Sequence, residues 1–213
     1  MSSTRRGGQR SPSDFYPTPP WCVRRLLEAV PLPGGRWLEP CIGHGAIVAA
    51  TSDLRSDVAW TGLDVHASFA QAVAKLDTPV RFIAEDFTQW SPANPTAFDV
   101  VITNPPYTVA QAIIERSFSL APVVVMLLRL NYLASAGRAD FMRAHPPDVY
   151  VLPNRPSFSG RGTDSIEYAW FVWHPQQSRR DGRLHVLAPT TRDARRLDHS
   201  RQADIIASVS IDD

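Results

Sequence analysis

A chain of 213 residues, 44% hydrophobic and 20% charged, has ordinary globular composition and the length of one domain with loose ends. Wholesale disorder, a collagen-like fibre and a disulfide miniprotein are excluded, and a net charge of +1 leaves any grip on nucleic acid to local patches. The longest apolar run, Val123 to Leu128, suits a buried strand and is far too short to cross a bilayer.

Residues 1–13 are mostly Ser, Gly and Arg and are expected to be a flexible arm. Arg5, Arg6 and Arg10 have no apolar stretch behind them, which does not fit a signal peptide. Cys22 and Cys41 lack metal-ligand spacing, so no metal is expected, and a reduced, cytoplasmic setting is (bacterial, or a phage-infected host). A first helix is predicted over Pro19–Val30, with Thr18 as N-cap and Pro19 as its first helical residue. Strands are predicted at 36–39, 58–65, 80–83, 98–103, 123–130, 149–152 and 168–173, with helices at 46–54, 67–76, 109–119 and 134–144. This alternation implies an α/β fold: a Rossmann-like, doubly wound, mainly parallel seven-stranded sheet with helices on both faces. From Pro175 onward come seven arginines, six aspartates and few apolar residues, a polar extension over 175–213. Within it Leu184–Leu187 suits an edge strand and Ile205–Ile211 a short final element.

Chemistry concentrates in three loops. Trp37-Leu-Glu-Pro-Cys-Ile-Gly-His-Gly-Ala46 is a strand, a tight turn and a helix start, and Gly43 and Gly45 permit positive φ and close ligand approach. In a doubly wound sheet such a turn faces the ligand crevice at the carboxyl ends of the strands. Glu39 closes the first strand, and Asp64 ends the second, where a carboxylate can accept both hydroxyls of a ribose. Glu85-Asp86-Phe87 follows the third strand: a carboxylate for an adenine amine and a ring for its face, or a turn cap and a core residue. Cys41 reads as a packed side chain, and His44 as a loop residue near the ligand rather than a base.

The sharpest motif is Asn104-Pro105-Pro106-Tyr107, a string expected by chance in about one chain in a thousand of this length. An exocyclic amine or amide nitrogen is a poor nucleophile because its lone pair is delocalised. Two acceptors aimed at its N–H bonds, the Asn104 side-chain oxygen and the Pro105 carbonyl, localise that pair. The prolines keep the acceptors aimed, and Tyr107 offers a face for a planar substrate.

Together these residues resemble class I S-adenosylmethionine-dependent methyltransferases, specifically amino-methyltransferases with the Asp/Asn-Pro-Pro-Tyr/Phe motif. The order of motifs is that of the gamma-type DNA adenine-N6 enzymes. The segment from Asn154 to Trp173 is similar to small phage and prophage methyltransferases. The resemblance covers about residues 14–174 as a catalytic domain. It implies S-adenosylmethionine as cofactor, held by Tyr16 and Thr18 of the N-terminal element, Glu39, Gly43, Gly45, Asp64, Asp86 and Phe87. It implies catalysis by Asn104, Pro105 and Tyr107, and substrate contacts from Pro106, Tyr107, Phe158 as a second stacking aromatic, and Arg161 on a phosphate. The expected reaction is methyl transfer to the N6 amine of a flipped-out adenine in DNA. Three alternatives stay open: an RNA adenine-N6 enzyme, a protein glutamine-N5 enzyme, and a non-catalytic cofactor- or nucleic-acid-binding relic. The gamma enzymes also carry a separate target-recognition domain, for which about forty residues after the core leave little room.

Overall fold

In the computed structural model, which describes residues 17–93, 97–158, 165–176 and 181–198, helix and strand alternate from Pro20 to Ala84. It runs α1 (Pro20–Ala29), β1 (Gly35–Glu39), α2 (Ala46–Ser52), β2 (Val58–Asp64), α3 (Phe69–Ala74), β3 (Val80–Ala84), β4 (Val100–Thr103), α4 (Ala110–Ser117) and β5 (Val123–Arg129). Two 3-10 turns then lead to α5 (Ala139–Ala144), β6 (Asp148–Val151), β7 (Tyr168–Trp173) and β8 (Leu184–Val186). The arm 1–13, Tyr16, Arg161 and the element expected at 205–211 lie outside the described residues.

All strands join one sheet in the order β3-β2-β1-β4-β5-β7-β6-β8. It is parallel except for β7, which runs antiparallel to both β5 and β6. Among the described residues the sheet has eight strands, the seven expected plus the edge strand suggested at Leu184–Leu187. β8 pairs with β6 in parallel, and all three of its residues are exposed, unlike the continuously buried β4, β5 and β7. β5 has six consecutive buried residues because both its faces are covered. Val123, Val125 and Leu127 pack with Trp21, Leu26, Ile47 and Val73 from α1, α2 and α3. Val124, Met126 and Leu128 pack with Ile113 and Ile114 of α4, and with Phe141 of α5. The helices on both faces expected from the alternation are present.

The first helix starts one residue later than predicted, and Thr18 does not cap it. Pro19 occupies the N-cap with extended backbone (φ −60°, ψ 134°), and Pro20 is the first helical residue. The reason is steric: a residue followed by proline is driven out of the helical region, so Pro19 cannot open a helix ahead of Pro20. The helix expected over 134–144 is likewise shorter, its first part forming a 3-10 turn at Ala136–Arg138. Among the described residues no helix is long and apolar enough to cross a membrane.

Candidate active site

The carboxyl ends of β1, β2, β3 and β4 open onto one cavity of about 530 Å³. The parallel register puts Glu39 of β1 beside Gly62 and leaves Asp64 projecting at the end of β2, above the turn that follows β1. That turn needs left-handed backbone at Gly43 (φ 50°) and Gly45 (φ 77°), a conformation other residues adopt only at a cost. Gly43 lines the cavity. Gly45 does not; it is the N-cap of α2, where a Cβ would stand 2.6 Å from Leu76 Cδ1.

Both oxygens of Asp64 are aimed by backbone donors: the Gly43 N–H donates to Oδ2 at 3.0 Å and the His66 N–H to Oδ1 at 3.0 Å. Each oxygen keeps acceptor capacity for a ligand hydroxyl. Glu39 is only 3% exposed, and among the described residues its Oε2 has no hydrogen-bond partner. Burial, and then the nearby Asp64 charge, push its carboxyl well above the usual carboxylate range. A buried acceptor with no donor is costly in the free protein, so the site is suited to a ligand that brings one.

Asp86 caps its turn and Phe87 joins the core, and both also line the cavity. Asp86 Oδ1 accepts from the Thr88 N–H and hydroxyl, each at 2.8 Å, which caps the turn. Phe87 is 2% exposed, yet both residues form cavity wall. Thr18, also buried, reaches the cavity from ahead of α1. Cys41 lines it with a thiol that burial holds far above its ordinary range, so it is not poised as a thiolate. His44 lies outside the lining, edge-on to Phe69 at 4.7 Å, and burial lowers its pKa.

Asn104, Pro105, Pro106 and Tyr107 follow β4 and form the opposite wall. The Pro106 carbonyl accepts from the Val109 N–H at 3.1 Å, which closes the turn into α4. Among the described residues no backbone N–H donates to the Pro105 carbonyl, the second acceptor expected of the motif. Tyr107 lines the cavity and carries the Arg129 guanidinium over its ring, 4.4 Å from the centroid. Phe158 does not reach the cavity: it is 7% exposed and packs edge-on against Tyr168 at 5.0 Å.

Of the predicted site residues that the structure describes, the cavity gathers all but Gly45 and Phe158. Sequence reasoning missed Val65 and His66 beside Asp64, and Arg129 behind Tyr107. Arg129 did leave a signal, since it is the charged residue that stops an unbroken apolar run at the ligand-facing edge. The lining also has a pattern no single motif reveals: among the described residues it contains three carboxylates (Glu39, Asp64 and Asp86) and neither lysine nor arginine. Among the described residues no group of three or more His, Cys, Asp and Glu is placed to hold a metal ion.

The fold is that of class I methyltransferases. A type I restriction-modification methyltransferase subunit from Streptococcus thermophilus superposes with a TM-score of 0.61 at 15% identity, over 91% of this chain and 52% of that one. A Listeria monocytogenes protein provisionally assigned to the class I S-adenosylmethionine-dependent methyltransferases gives 0.57 at 15% identity, over 89% and 68%. A Pyrococcus horikoshii protein provisionally described as an RNA methyltransferase gives 0.58 at 15% identity, over 79% and 92%. No family model and no curated protein matches the chain.

Proposed function

We propose that this protein transfers a methyl group from S-adenosylmethionine to the exocyclic N6 amine of an adenine flipped out of DNA. The observation that carries this reading is one cavity whose lining, among the described residues, holds Glu39, Asp64 and Asp86 with neither Lys nor Arg and ends on Asn104-Pro105-Pro106-Tyr107. A site for a phosphate-bearing nucleotide needs cations or clustered N–H donors, whereas a wall of carboxylates without Lys or Arg suits a nucleoside of positive charge.

The residues fit that cofactor. The buried, unpartnered Oε2 of Glu39 would accept from the ammonium of the methionine portion, with Thr18 nearby. Asp64, aimed by the Gly43 and His66 N–H groups, would take the ribose hydroxyls. Asp86 would accept from the adenine amine and Phe87 would form the wall beside it. Bound there, the cofactor supplies a methyl group on a positively charged sulfur, already strongly electrophilic. The tasks left to the chain are to hold, orient and dehydrate the acceptor amine.

Asn104 and the Pro105 carbonyl would accept the two N–H bonds of the amine and bring its lone pair out of the ring. Because prolines stiffen that corner, the acceptors need little reorganisation as charge develops. Tyr107 would stack on the base, which must leave the duplex to reach the cavity. Pro106 closes the turn that presents them. The nitrogen sheds its proton once it carries the new bond, when it is acidic enough to need no strong base.

The test is incubation with isotope-labelled S-adenosylmethionine and a panel of DNA, RNA and ribosomal protein factors, followed by nucleoside and peptide mass spectrometry. Label on N6-methyladenine from DNA is the expected result. Label only in RNA, on N4-methylcytosine or on a glutamine amide replaces the substrate named here. A bound cofactor with no transfer to any of them overturns the enzymatic reading.

A further inference from the structure

The residue proposed to stack on the substrate is itself held from behind. Arg129, the last residue of β5, lies opposite Tyr168, the first residue of β7, in the antiparallel ladder. Its guanidinium carbon is 4.4 Å from the centre of the Tyr107 ring, and its Nε is 3.5 Å from the Tyr168 hydroxyl. The Tyr168 ring is 6.3 Å from Tyr107 on one side and 5.0 Å from Phe158 on the other. Tyr168 and Phe158 are buried, and of these four side chains only Tyr107 lines the cavity. A packed row thus runs from the segment after β6 to the lip of the site.

The prolines before Tyr107 stiffen the backbone but do not set the rotation of its ring. A planar cation attracted to one face of that ring does. A base inserted between two stacked groups needs them about 7 Å apart, two van der Waals contacts, so the face that Arg129 covers is closed. We infer that Arg129 is a positioning residue: it blocks one face of Tyr107 and fixes the ring so that a planar substrate stacks on the other face alone. Tyr168 and Phe158 are its buttress, and Phe158 acts through Tyr168 rather than by touching the base. The inference deepens the proposed function and takes the substrate from it, whereas the clamp on Tyr107 stands on the free protein.

The test uses the full chain with 3-fluorotyrosine at position 107, comparing Arg129→Gln and Arg129→Lys with the wild type. In the absence of nucleic acid, the 19F resonance is expected to shift and broaden in Arg129→Gln and to move less in Arg129→Lys, which keeps the charge but not the flat group. Turnover on DNA should fall about 3- to 30-fold in Arg129→Gln, the reach of one cation–π contact, with partial recovery by lysine and unchanged affinity for S-adenosylmethionine. In a Tyr107→Ala background the same substitution should cost nothing further, because the two residues act as one unit. An unmoved 19F resonance in both variants overturns the clamp whatever the substrate is. So does an additive loss in the Tyr107→Ala background together with a fall of about one in the salt slope of DNA binding, which would make Arg129 a phosphate contact. A wild type that binds the cofactor yet methylates no nucleic acid overturns the proposed function instead, and the 19F shift still reads the clamp.

Discussion

The ligand-facing edge of the sheet divides into two halves of opposite character. Around β1, β2 and β3 it presents Glu39, Asp64 and Asp86, and among the described residues no lysine or arginine lines the cavity. Around β5, β6 and β7 the same edge presents Arg129 on Tyr107, Arg138 over Tyr132 at 4.1 Å, and Arg155 paired with Glu167. Asn104-Pro105-Pro106-Tyr107 stands on the boundary, following β4 between them. A net charge of +1 hides this division, because basic and acidic side chains nearly cancel over the whole chain. That division is what the proposed reaction between a sulfonium donor and a nucleic acid would use: carboxylates toward the cation and arginines toward the polyanion.

The largest effect should come from the boundary itself. Asn104→Ala removes one of two preorganised acceptors, and turnover should fall at least about a hundredfold with cofactor affinity near that of the wild type. Single-turnover kinetics beside calorimetric titration separates the two quantities. Comparable turnover in that variant removes the chemical role of the motif.

The acidic half should respond in binding rather than in rate. Asp64→Asn replaces a carboxylate with an amide and presents an NH₂ where the Gly43 or His66 N–H now donates. Affinity for S-adenosylmethionine should drop about 10- to 100-fold, the scale of lost hydrogen bonds to a charged group. The Michaelis constant for DNA should stay put, and a loss shared equally by both substrates would erase the division between the halves.

Glu39→Gln gives a smaller effect whose sign differs between free and bound protein. Burial raises the folded-state pKa of Glu39 above its unfolded value, so between the two the folded chain binds more protons and stability falls as pH rises through that window. The variant lacks that slope. Without cofactor its melting temperature should exceed that of the wild type by about 2–4 °C at pH 7, with the gap closing below the ordinary carboxylate pKa of about 4.3. Its cofactor affinity should nevertheless be lower. Thermal scans against pH, with and without cofactor, check both signs.

Much of this was legible in the chain because strands covered on both faces must be continuously apolar. Val123–Leu128 and Tyr168–Trp173 announce themselves, and turn chemistry places Gly43, Asp64 and Asn104 at their ends. What escaped depends on neighbours distant in sequence. β8 is fully exposed, so Leu184–Leu187 suggests only an edge strand, and its place beside β6 follows from the ladder between them. Pro19 and Pro20 shift the start of α1 through a steric rule that outweighs a good capping residue at Thr18. Phe158 is expected to stack on the base by resemblance alone, yet it packs against Tyr168 in the core. Arg129 and Tyr107 meet only because β4 and β5 are adjacent.

The most direct test of the charge division is a calorimetric comparison of S-adenosylmethionine with a phosphate-bearing adenine dinucleotide on the wild-type protein. Saturable one-to-one binding of the sulfonium compound, abolished or strongly weakened in Asp64→Asn, and no heat from the dinucleotide is the result predicted. Tight binding of the dinucleotide at the same site would contradict it.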